Sequence, residues 1–206
     1  MTEKEVQSIL LNKLNFSQDA LYKLEIFTKE VIVYNQKFNL ISKSTENNIW
    51  ERHVLDSAQL VRFIKFNDEL SLSDLGTGAG FPGIVLAIFN RNKKFHVKLY
   101  EKSRVKIKFL DYLCKKLNIS ADIYGNDYGS HDIDSNYIVS RAFKKLAEHI
   151  RISREIVKVN HKLIILKGKN AEEEIKQLNN NFNYSYNLEK SITAEDSKIL
   201  IVNIRK

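Results

Sequence analysis

The 206-residue sequence contains one cysteine, one proline and no uninterrupted apolar run longer than the six residues from Ile84 to Phe89. One cysteine excludes a disulfide framework and a cysteine-rich zinc site. A membrane span requires about 20 apolar residues, so we expect no membrane partner. The charged start, Met1–Glu5, predicts no secretory signal. These absences predict a cytoplasmic protein in a reducing compartment.

The net charge of +8 is distributed unevenly along the chain. Residues 1–66 carry 9 basic and 8 acidic side chains, whereas residues 91–116 carry 10 and 2, and residues 141–169 carry 9 and 2. The stretch 117–140 between the two basic blocks has four Asp and no Lys or Arg. Two basic blocks indicate either a face for a phosphate backbone or two solvated helix faces.

The first 66 residues have the apolar spacing of helices. Val6, Ile9, Leu10 and Leu14 predict a first helix, and Ser17 is a candidate N-cap for a second, which we expect the segment Asn35–Asn39 to break. A third helical stretch, from Thr45 to about Ile64, is expected to be interrupted near Arg52 and His53. No glycine precedes Gly76. We therefore predict a helical extension, residues 1–66, that packs directly on a second domain, residues 67–206.

From Leu70 onward, short apolar runs alternate with amphipathic segments. This alternation predicts an α/β fold with a right-handed, mostly parallel twisted sheet, as in a Rossmann-like domain. The predicted strands are Leu70–Leu75, His96–Tyr100, Ile119–Tyr124, Tyr137–Val139, Leu163–Leu166, Phe182–Leu188 and Ile199–Ile204. No strong helical pattern separates the last two runs, so we expect an antiparallel C-terminal pair.

Four of the seven glycines, and the only proline, lie between Gly76 and Gly83, directly after the first predicted strand. Glycine is needed where a backbone takes positive φ or approaches a ligand closely. No Gly-Lys-Ser/Thr follows, which excludes a phosphate-binding Walker loop. Phe81 occupies the position of the last glycine of a dinucleotide fingerprint. The spacing of Gly76, Gly78 and Gly80 therefore favours a nucleoside without a pyrophosphate, such as S-adenosylmethionine, over a tight turn without a ligand.

Polar side chains follow the next two predicted strands. Glu101 comes 25 residues after Gly76 and can accept hydrogen bonds from both ribose hydroxyls. It is otherwise an acid before a helix N-terminus. Asp127 can accept a hydrogen bond from the edge of an adenine, and Tyr128 can stack on its face. The same residues also fit an ordinary turn.

The motifs together resemble the bacterial 16S ribosomal RNA guanine-N7 methyltransferases of the glucose-inhibited division B type. The matching segments are Asn39–Ser42, Arg52–Ser57, Gly76–Gly83, Lys106–Leu110, Ser140–Ala142 and Leu166–Gly168, followed by Glu172 and Glu174. They cover nearly the whole chain in order.

The resemblance implies a class I methyltransferase fold, S-adenosylmethionine as methyl donor and one guanine of the 16S small-subunit RNA as acceptor. It places cofactor contacts at Gly76, Phe81, the pair Asp127-Tyr128 and Arg141. Two positions depart from the family, which usually has Ala-Glu at 127–128 and more often Asp at position 101.

The chemistry of N7 methylation constrains the roles of these residues. Guanine N7 carries an exposed lone pair, so the reaction requires no general base and depends on alignment. Amino-group methyltransferases use an Asn/Asp-Pro-Pro-aromatic motif, which one proline cannot supply. Cys114 lies among helical apolar positions, which favours a core residue over a nucleophile. The five histidines show no metal-ligand spacing, so we expect no metal.

Four residues are candidates for placing the substrate: His53, Asp56, Arg141 and Lys167. His53 and Asp56 share a helix face. That face either overhangs the cofactor cleft or forms a hydrogen-bonded clasp between the helical extension and the sheet, and the sequence favours neither.

Candidate RNA contacts are Arg52, Lys106, Arg141, Lys167 and Lys169. Lys167 follows a predicted strand at its carboxyl end, where open α/β sheets bind ligands. We expect a monomer. Two other functions stay open: a methyltransferase for another RNA or a small molecule, and a non-enzymatic RNA-binding protein on a methyltransferase fold.

Overall fold

A computed structural model of the chain describes residues 1–125, 129, 131–141, 145–178 and 185–206. The α-helices are α1 (Glu3–Asn12), α2 (Gln18–Phe38), α3 (Asp56–Ala58), α4 (Gly83–Phe89), α5 (Arg104–Leu117), α6 (Leu146–Ile156) and α7 (Ala171–Lys176). The strands are β1 (Ser71–Leu75), β2 (His96–Tyr100), β3 (Asp122–Tyr124), β4 (Tyr137–Arg141), β5 (His161–Lys167), β6 (Ser185–Lys190) and β7 (Lys198–Ile204).

The seven strands form one sheet in the order β3-β2-β1-β4-β5-β7-β6. The first five are parallel, and β7 pairs antiparallel with both β5 and β6. The prediction of a mostly parallel sheet with an antiparallel C-terminal pair is confirmed. The predicted strand 182–188 lies partly outside the described residues.

The strand order reverses between β1 and β4. From β1 the chain continues to β2 and β3 on one side, and it then returns to β4 and β5 on the other side. In open α/β sheets, such a switch point leaves a crevice at the carboxyl ends of the strands, where ligands bind. Leu75 pairs with Tyr100 and Arg141 with Leu166. The segments that follow β1, β2, β4 and β5 therefore all emerge at this edge.

Side chains that alternate along the strands build a separate core on each face of the sheet. On β4, Val139 packs with the helices of the N-terminal region, with α4 and with α5, whereas Ile138 packs with α6. The first of these cores is continuous from Val6 in α1 to Ile201 in β7. The predicted division at residue 66 falls between the last N-terminal helical turn and β1, and two separate domains stay a prediction.

The helix α2 ends inside the segment Asn35–Asn39 that is expected to break it, but only at its far end: α2 continues to Phe38 and ends at Asn39, whose φ is +47°. Asn35 is buried, and its side-chain oxygen accepts a hydrogen bond from the Ile41 N–H at 2.8 Å. Its amide also donates to Glu46. Asn35 therefore fixes the chain that follows the helix instead of ending the helix.

The third helical stretch is irregular. It consists of the 3₁₀ turn Lys43–Asn48, the π-helical turn Trp50–Leu55, α3 and the 3₁₀ turn Gln59–Phe63. The π turn includes Arg52 and His53, where the sequence predicts an interruption. Such turns are rare in helices and occur frequently at functional sites.

Candidate active site

The loop after β1 needs glycine at three positions because φ is +70° at Gly76, +63° at Gly78 and +101° at Gly80. The Gly76 and Thr77 N–H groups both donate to the Tyr100 carbonyl, at 2.9 and 3.1 Å. The start of the loop is therefore fixed to the end of β2.

The glycines differ in what surrounds them. A Cβ at Gly80 would lie 2.5 Å from Ile84 Cγ1, and one at Gly83 would lie 2.2 Å from Leu99 Cδ2. At Gly78 the nearest atom would be the Gly76 carbonyl oxygen at 3.9 Å. Gly80 and Gly83 therefore permit close packing, whereas Gly78 borders open space at the cleft.

Asp74, in β1, anchors the other end of this loop and was not among the residues predicted from the sequence. Its Oδ2 accepts a hydrogen bond from the Gly83 N–H at 2.7 Å. Asp74 Oδ1 and Thr77 Oγ1 are buried and interact with each other, and neither makes a further hydrogen bond among the described residues. Burial raises the pKa of Asp74 to about 6. An acid at the end of a buried strand, two residues before Gly76, is the signal that could have found it.

Glu101 lies directly after β2 and is almost fully buried. Its Oε2 accepts from the Gly78 N–H at 3.0 Å, and its Oε1 accepts from the Ser103 N–H at 2.8 Å. Glu101 therefore bonds to the backbone of Ser103, directly before α5, which fits its role as an acid before a helix N-terminus. It also holds the glycine loop, and the contact with ribose hydroxyls stays a prediction.

Phe81 connects the loop with the N-terminal helices. Its ring centroid lies 4.7 Å from that of Phe27 in α2 and 5.0 Å from that of His53. The Arg141 guanidinium lies over the same ring, 5.4 Å from its centroid, an arrangement that attracts the cation to the ring face.

His53 is buried in the π turn with its Nε2 2.8 Å from Thr45 Oγ1. With the Thr45 hydroxyl donating to the Ser42 carbonyl at 2.8 Å, we assign His53 the tautomer that donates from Nε2–H to Thr45 Oγ1. Nδ1 is therefore an acceptor, and no described residue satisfies it. Burial, with the charges of Arg141 and Arg52, lowers the pKa of His53 to about 3.

Asp56 and Gln59 tie the helical stretch to the loop between β6 and β7. Asp56 Oδ1 accepts from Thr193 Oγ1 at 3.0 Å and from Gln59 Nε2 at 3.1 Å. Gln59 Oε1 accepts from the Ile192 N–H at 2.9 Å. Burial raises the pKa of Asp56. The contacts of Asp56 are those of the predicted clasp.

Arg141, the last residue of β4, donates from Nη1 to the Arg52 carbonyl at 3.0 Å. Burial lowers its pKa, against the charges of Asp56 and Asp74. The guanidinium therefore connects the carboxyl end of β4 with the π turn.

Lys167, the last residue of β5, pairs with Glu174 of α7 at 2.7 Å, and its side chain is only 10% exposed. Glu174 also accepts from the Leu146 N–H at 2.8 Å, at the start of α6. The Lys167 ammonium is thus part of a partly buried contact between β5 and two helices. Lys169, two residues further on, is exposed.

These groups surround a cleft of about 840 Å³ at the carboxyl edge of the sheet. The predicted residues that line it are Arg52, His53, Asp56, Gly76, Gly78, Phe81, Lys106, Arg141 and Lys167. Glu101 lies beside it through its bond to Gly78. Lys145 and Thr193 also line the cleft without having been predicted, and so does Glu174, which the family resemblance included without a role. Asp127 and Tyr128 lie outside the described residues.

The cleft is cationic, since five described lining residues are Lys or Arg and two, Asp56 and Glu174, are acidic. Within the described part of the chain, no group of three or more His, Cys, Asp or Glu could hold a metal ion. Over the same residues, no helix has the length and hydropathy of a membrane span.

Solved structures show which fold the chain adopts. A SAM-dependent methyltransferase from Aquifex aeolicus superposes with a TM-score of 0.60 at 15% identity, over 78% of this chain and 94% of that one. An RNA methyltransferase from Salinibacter ruber, in complex with S-adenosyl-L-homocysteine, gives 0.55 at 13% identity, over 73% and 90%. The predicted class I methyltransferase fold is confirmed.

Sequence comparison identifies the family. The family model GidB, described as rRNA small subunit methyltransferase G, matches residues 20–201. Proteins named ribosomal RNA small subunit methyltransferase G are 35% identical in Pelagibacter ubique, over 96% of this chain and 93% of that protein, and 39% identical in Rickettsia felis, over 90% and 94%. The chain belongs to the rRNA small subunit methyltransferase G family. It is an rRNA methyltransferase that uses S-adenosylmethionine, as predicted from the sequence.

Proposed function

We propose that this chain methylates N7 of one guanine of 16S RNA, with the glycine loop holding S-adenosylmethionine and the cationic cleft receiving the RNA. The observation that carries the proposal is the juxtaposition, in one cleft, of an open glycine backbone at Gly78 and five cationic side chains.

The residues around the loop fit S-adenosylmethionine. The space beside Gly78 is open, and each Glu101 oxygen accepts one hydrogen bond while a carboxylate oxygen has two lone pairs. Glu101 can therefore still accept from ribose hydroxyls, as predicted. Gly76, Gly78, Phe81 and Arg141 are the other proposed contacts, together with Gly80 and the predicted pair Asp127-Tyr128. When bound, S-adenosylmethionine supplies an electrophilic methyl on a sulfonium.

The titratable groups of the cleft suit a reaction that needs no proton removed. His53, with a pKa of about 3, is a weak base near neutral pH. Asp56 already accepts two hydrogen bonds in the clasp. Because N7 presents its own lone pair, the chain needs only to orient the base.

We propose that His53 places the guanine. Its Nδ1 is an acceptor, and the N1–H and 2-amino groups of guanine are donors on the edge opposite N7. Leaving a buried acceptor unsatisfied costs about 1–3 kcal/mol, which a bound guanine would recover. Asp56 helps to place the guanine indirectly, because its hydrogen bond to Thr193 holds the helical stretch that carries His53.

The proposed RNA contacts are Arg52, Lys106 and Lys169 at the rim, with Arg141 deeper in the cleft. Lysines in such positions neutralise phosphates, whereas arginine can also stack on a base. For Lys167 the ion pair with Glu174 supports a role in holding the cleft wall as well as in binding RNA.

The environment of the single cysteine, Cys114, argues against methylation of a base carbon, a reaction that requires a nucleophilic thiol. Cys114 packs against the core on α5, and burial raises its pKa to about 11. A thiol held protonated is a poor nucleophile.

The substrate RNA supports the cytoplasmic location predicted from the sequence. The monomeric state and the helical extension as a separate domain, residues 1–66, are further proposals that follow the sequence analysis.

The experiment that tests the function uses small ribosomal subunits from cells that lack this protein. Incubation with the purified chain and S-adenosylmethionine is expected to add one methyl group, which mass spectrometry of nuclease fragments locates on one guanine. Cleavage at the modified base after borohydride and aniline treatment identifies N7. A methyl group on another atom, or on no RNA, would contradict the proposal.

A further inference from the structure

A second groove of about 630 Å³ lies between the C-terminal end of α2 and the N-terminal end of α5. The two helices run antiparallel. Tyr112 of α5 donates to Glu30 of α2 at 3.0 Å, and Phe109 packs on Tyr34 with centroids 4.8 Å apart. The groove is at the end of this seam, where Val105 and Phe38 follow.

The groove concentrates exposed apolar surface. Val33 is 56% exposed, Phe38 43% and Val105 42%, and these are three of the seven large apolar side chains that are exposed in the described part of the chain. All three line the same groove. Exposed apolar residues scattered singly need no explanation, but a contiguous patch indicates a binding site.

The surroundings of the groove are cationic. Lys37 and Lys108 line it, and none of the described lining residues is acidic. Arg104, Lys106 and Lys108 fall in the first two turns of α5, whose first turn has no acidic residue. Cations at a helix N-terminus are unfavourable because the helix dipole is positive there. An anionic partner would offset that repulsion.

The groove adjoins the cleft. Phe38 lines the groove and Leu40, two residues on, lines the cleft. On α5, Lys106 lines the cleft between Val105 and Lys108, which line the groove. The start of α5 and the chain at the end of α2 therefore border both the cleft and the groove.

We propose that this groove binds a single-stranded segment of the rRNA that flanks the target guanine, with an unpaired base on Phe38 and phosphates at Lys37 and Lys108. The inference rests on the proposed function. An aromatic ring between lysines is the chemistry that single-stranded RNA requires, since bases stack on aromatic faces and lysines neutralise the backbone.

Photo-crosslinking tests the occupant directly. Phe38→p-benzoylphenylalanine is irradiated with small subunits from cells that lack the protein, and Lys106→p-benzoylphenylalanine serves as the control in the cleft. We expect both positions to crosslink to 16S RNA. A crosslink from position 38 to a ribosomal protein, or none while position 106 reacts, would overturn the groove proposal. Failure at both positions, with no methylation by the unmodified chain, would be a failure of the proposed function.

Kinetics tests the contribution of each contact. Phe38→Ala is expected to raise the KM for small subunits about tenfold, as the loss of one stacked base does, with the Kd for S-adenosylmethionine unchanged. Phe38→Trp should retain binding, and Phe38→Leu should not. Tyr22→Ala, also an exposed aromatic on α2, is the matched control and should leave KM unchanged.

Charge reversal supplies a test that does not depend on the aromatic position. Lys37→Glu with Lys108→Glu should raise KM and weaken its dependence on salt, while Lys29→Glu, exposed on the same helix, should do neither. Equal effects of the groove pair and Lys29 would show that net charge acts without a site and would overturn the proposal.

Discussion

Glu101 Oε2 accepts a hydrogen bond from the Gly78 N–H at 3.0 Å. The acid that follows β2 thereby holds the glycine loop that follows β1. Because Glu101 also accepts from Ser103, at the start of α5, a single carboxylate connects the proposed cofactor loop with the helix between the cleft and the groove.

Glu101→Gln is expected to weaken S-adenosylmethionine binding by about 10- to 100-fold, as the loss of a hydrogen bond to a charged group does. The free energy of unfolding should also fall by about 1–2 kcal/mol, because an amide cannot accept both backbone bonds equally well. Glu101→Asp, the residue more common in the family, is the control and should retain most of the binding. Calorimetric titration and chemical unfolding measure the two effects. A Gln variant that binds normally would exclude the carboxylate from the cofactor site.

Gly80→Ala and Gly78→Ala separate packing from ligand binding. At Gly80 a methyl would collide with Ile84, so we expect a loss of stability of about 2–3 kcal/mol. At Gly78 the space is open, and the positive φ alone should cost about 1 kcal/mol. The Gly78 variant should nevertheless show the larger loss of S-adenosylmethionine affinity per unit of stability lost. The reverse order would contradict the assignment of Gly78 to the ligand.

Two replacements of His53 test its proposed contact with guanine. His53→Asn keeps an acceptor near the position of Nδ1, whereas His53→Gln can retain the bond to Thr45 but not that acceptor. We expect the Asn variant to keep a KM for RNA near the native value and the Gln variant to raise it about tenfold. Replacing the target guanosine by inosine, which lacks the 2-amino group, should then cost the native enzyme more than the Gln variant. If the effects of His53→Gln and of inosine on KM are additive, His53 does not contact the guanine and its role is structural.

The buried histidines predict a dependence of stability on pH. The pKa values of His53 and His149 are both lowered to about 3, chiefly by burial. Below the ordinary value of about 6.5 the unfolded chain therefore binds protons that the folded chain does not, and the free energy of unfolding falls as pH decreases. Each histidine contributes at most about 1.4 kcal/mol per pH unit in that window. Asp74, with its pKa raised to about 6, opposes this trend, but one carboxyl does not offset two imidazoles.

Unfolding in urea at pH 5, 6 and 7 measures that dependence. His149→Gln should reduce the slope, and His96→Gln, at an exposed position, should not. Parallel slopes for all three proteins would contradict the assignment.

Lys167, the last residue of β5, and Lys169, two residues further on, should differ in their effects. Lys169→Ala is expected to leave stability unchanged and to reduce the salt slope of RNA binding by about 1. Lys167→Ala removes the ion-pair partner of Glu174 and should also lower stability, by about 1–3 kcal/mol. Adding Glu174→Gln should restore part of that loss. If Lys167→Ala weakens RNA binding alone, its role in the cleft wall is wrong.

The order of strands and helices could be predicted because each element has a local pattern. The strand β2, His96–Tyr100, was predicted with its observed ends, and the π turn occurs where the helical spacing fails, near His53. Helix ends were less predictable. Asn35 lies inside α2 because its side chain bonds to Ile41 beyond the helix, which no local pattern shows.

The site was predictable where glycine or a motif marks the backbone, and not where distant residues pair. Thr193 meets Asp56 across 137 positions. Lys145 and Glu174 line the cleft because α6 and α7 pack at the carboxyl edge. Asp74 escaped prediction because its partner, Gly83, was attributed to the loop alone.

The most direct test of the central claim follows the methyl group from the glycine loop to the base. The chain is loaded with S-adenosylmethionine that carries a labelled methyl group. Unbound S-adenosylmethionine is then removed, and the loaded chain is mixed with undermethylated small subunits. We predict that the label moves in a single turnover to N7 of one guanine, and that Gly78→Ala neither retains nor transfers it efficiently. Label that is never retained by the native chain, or that reaches RNA at any other atom, would contradict the account.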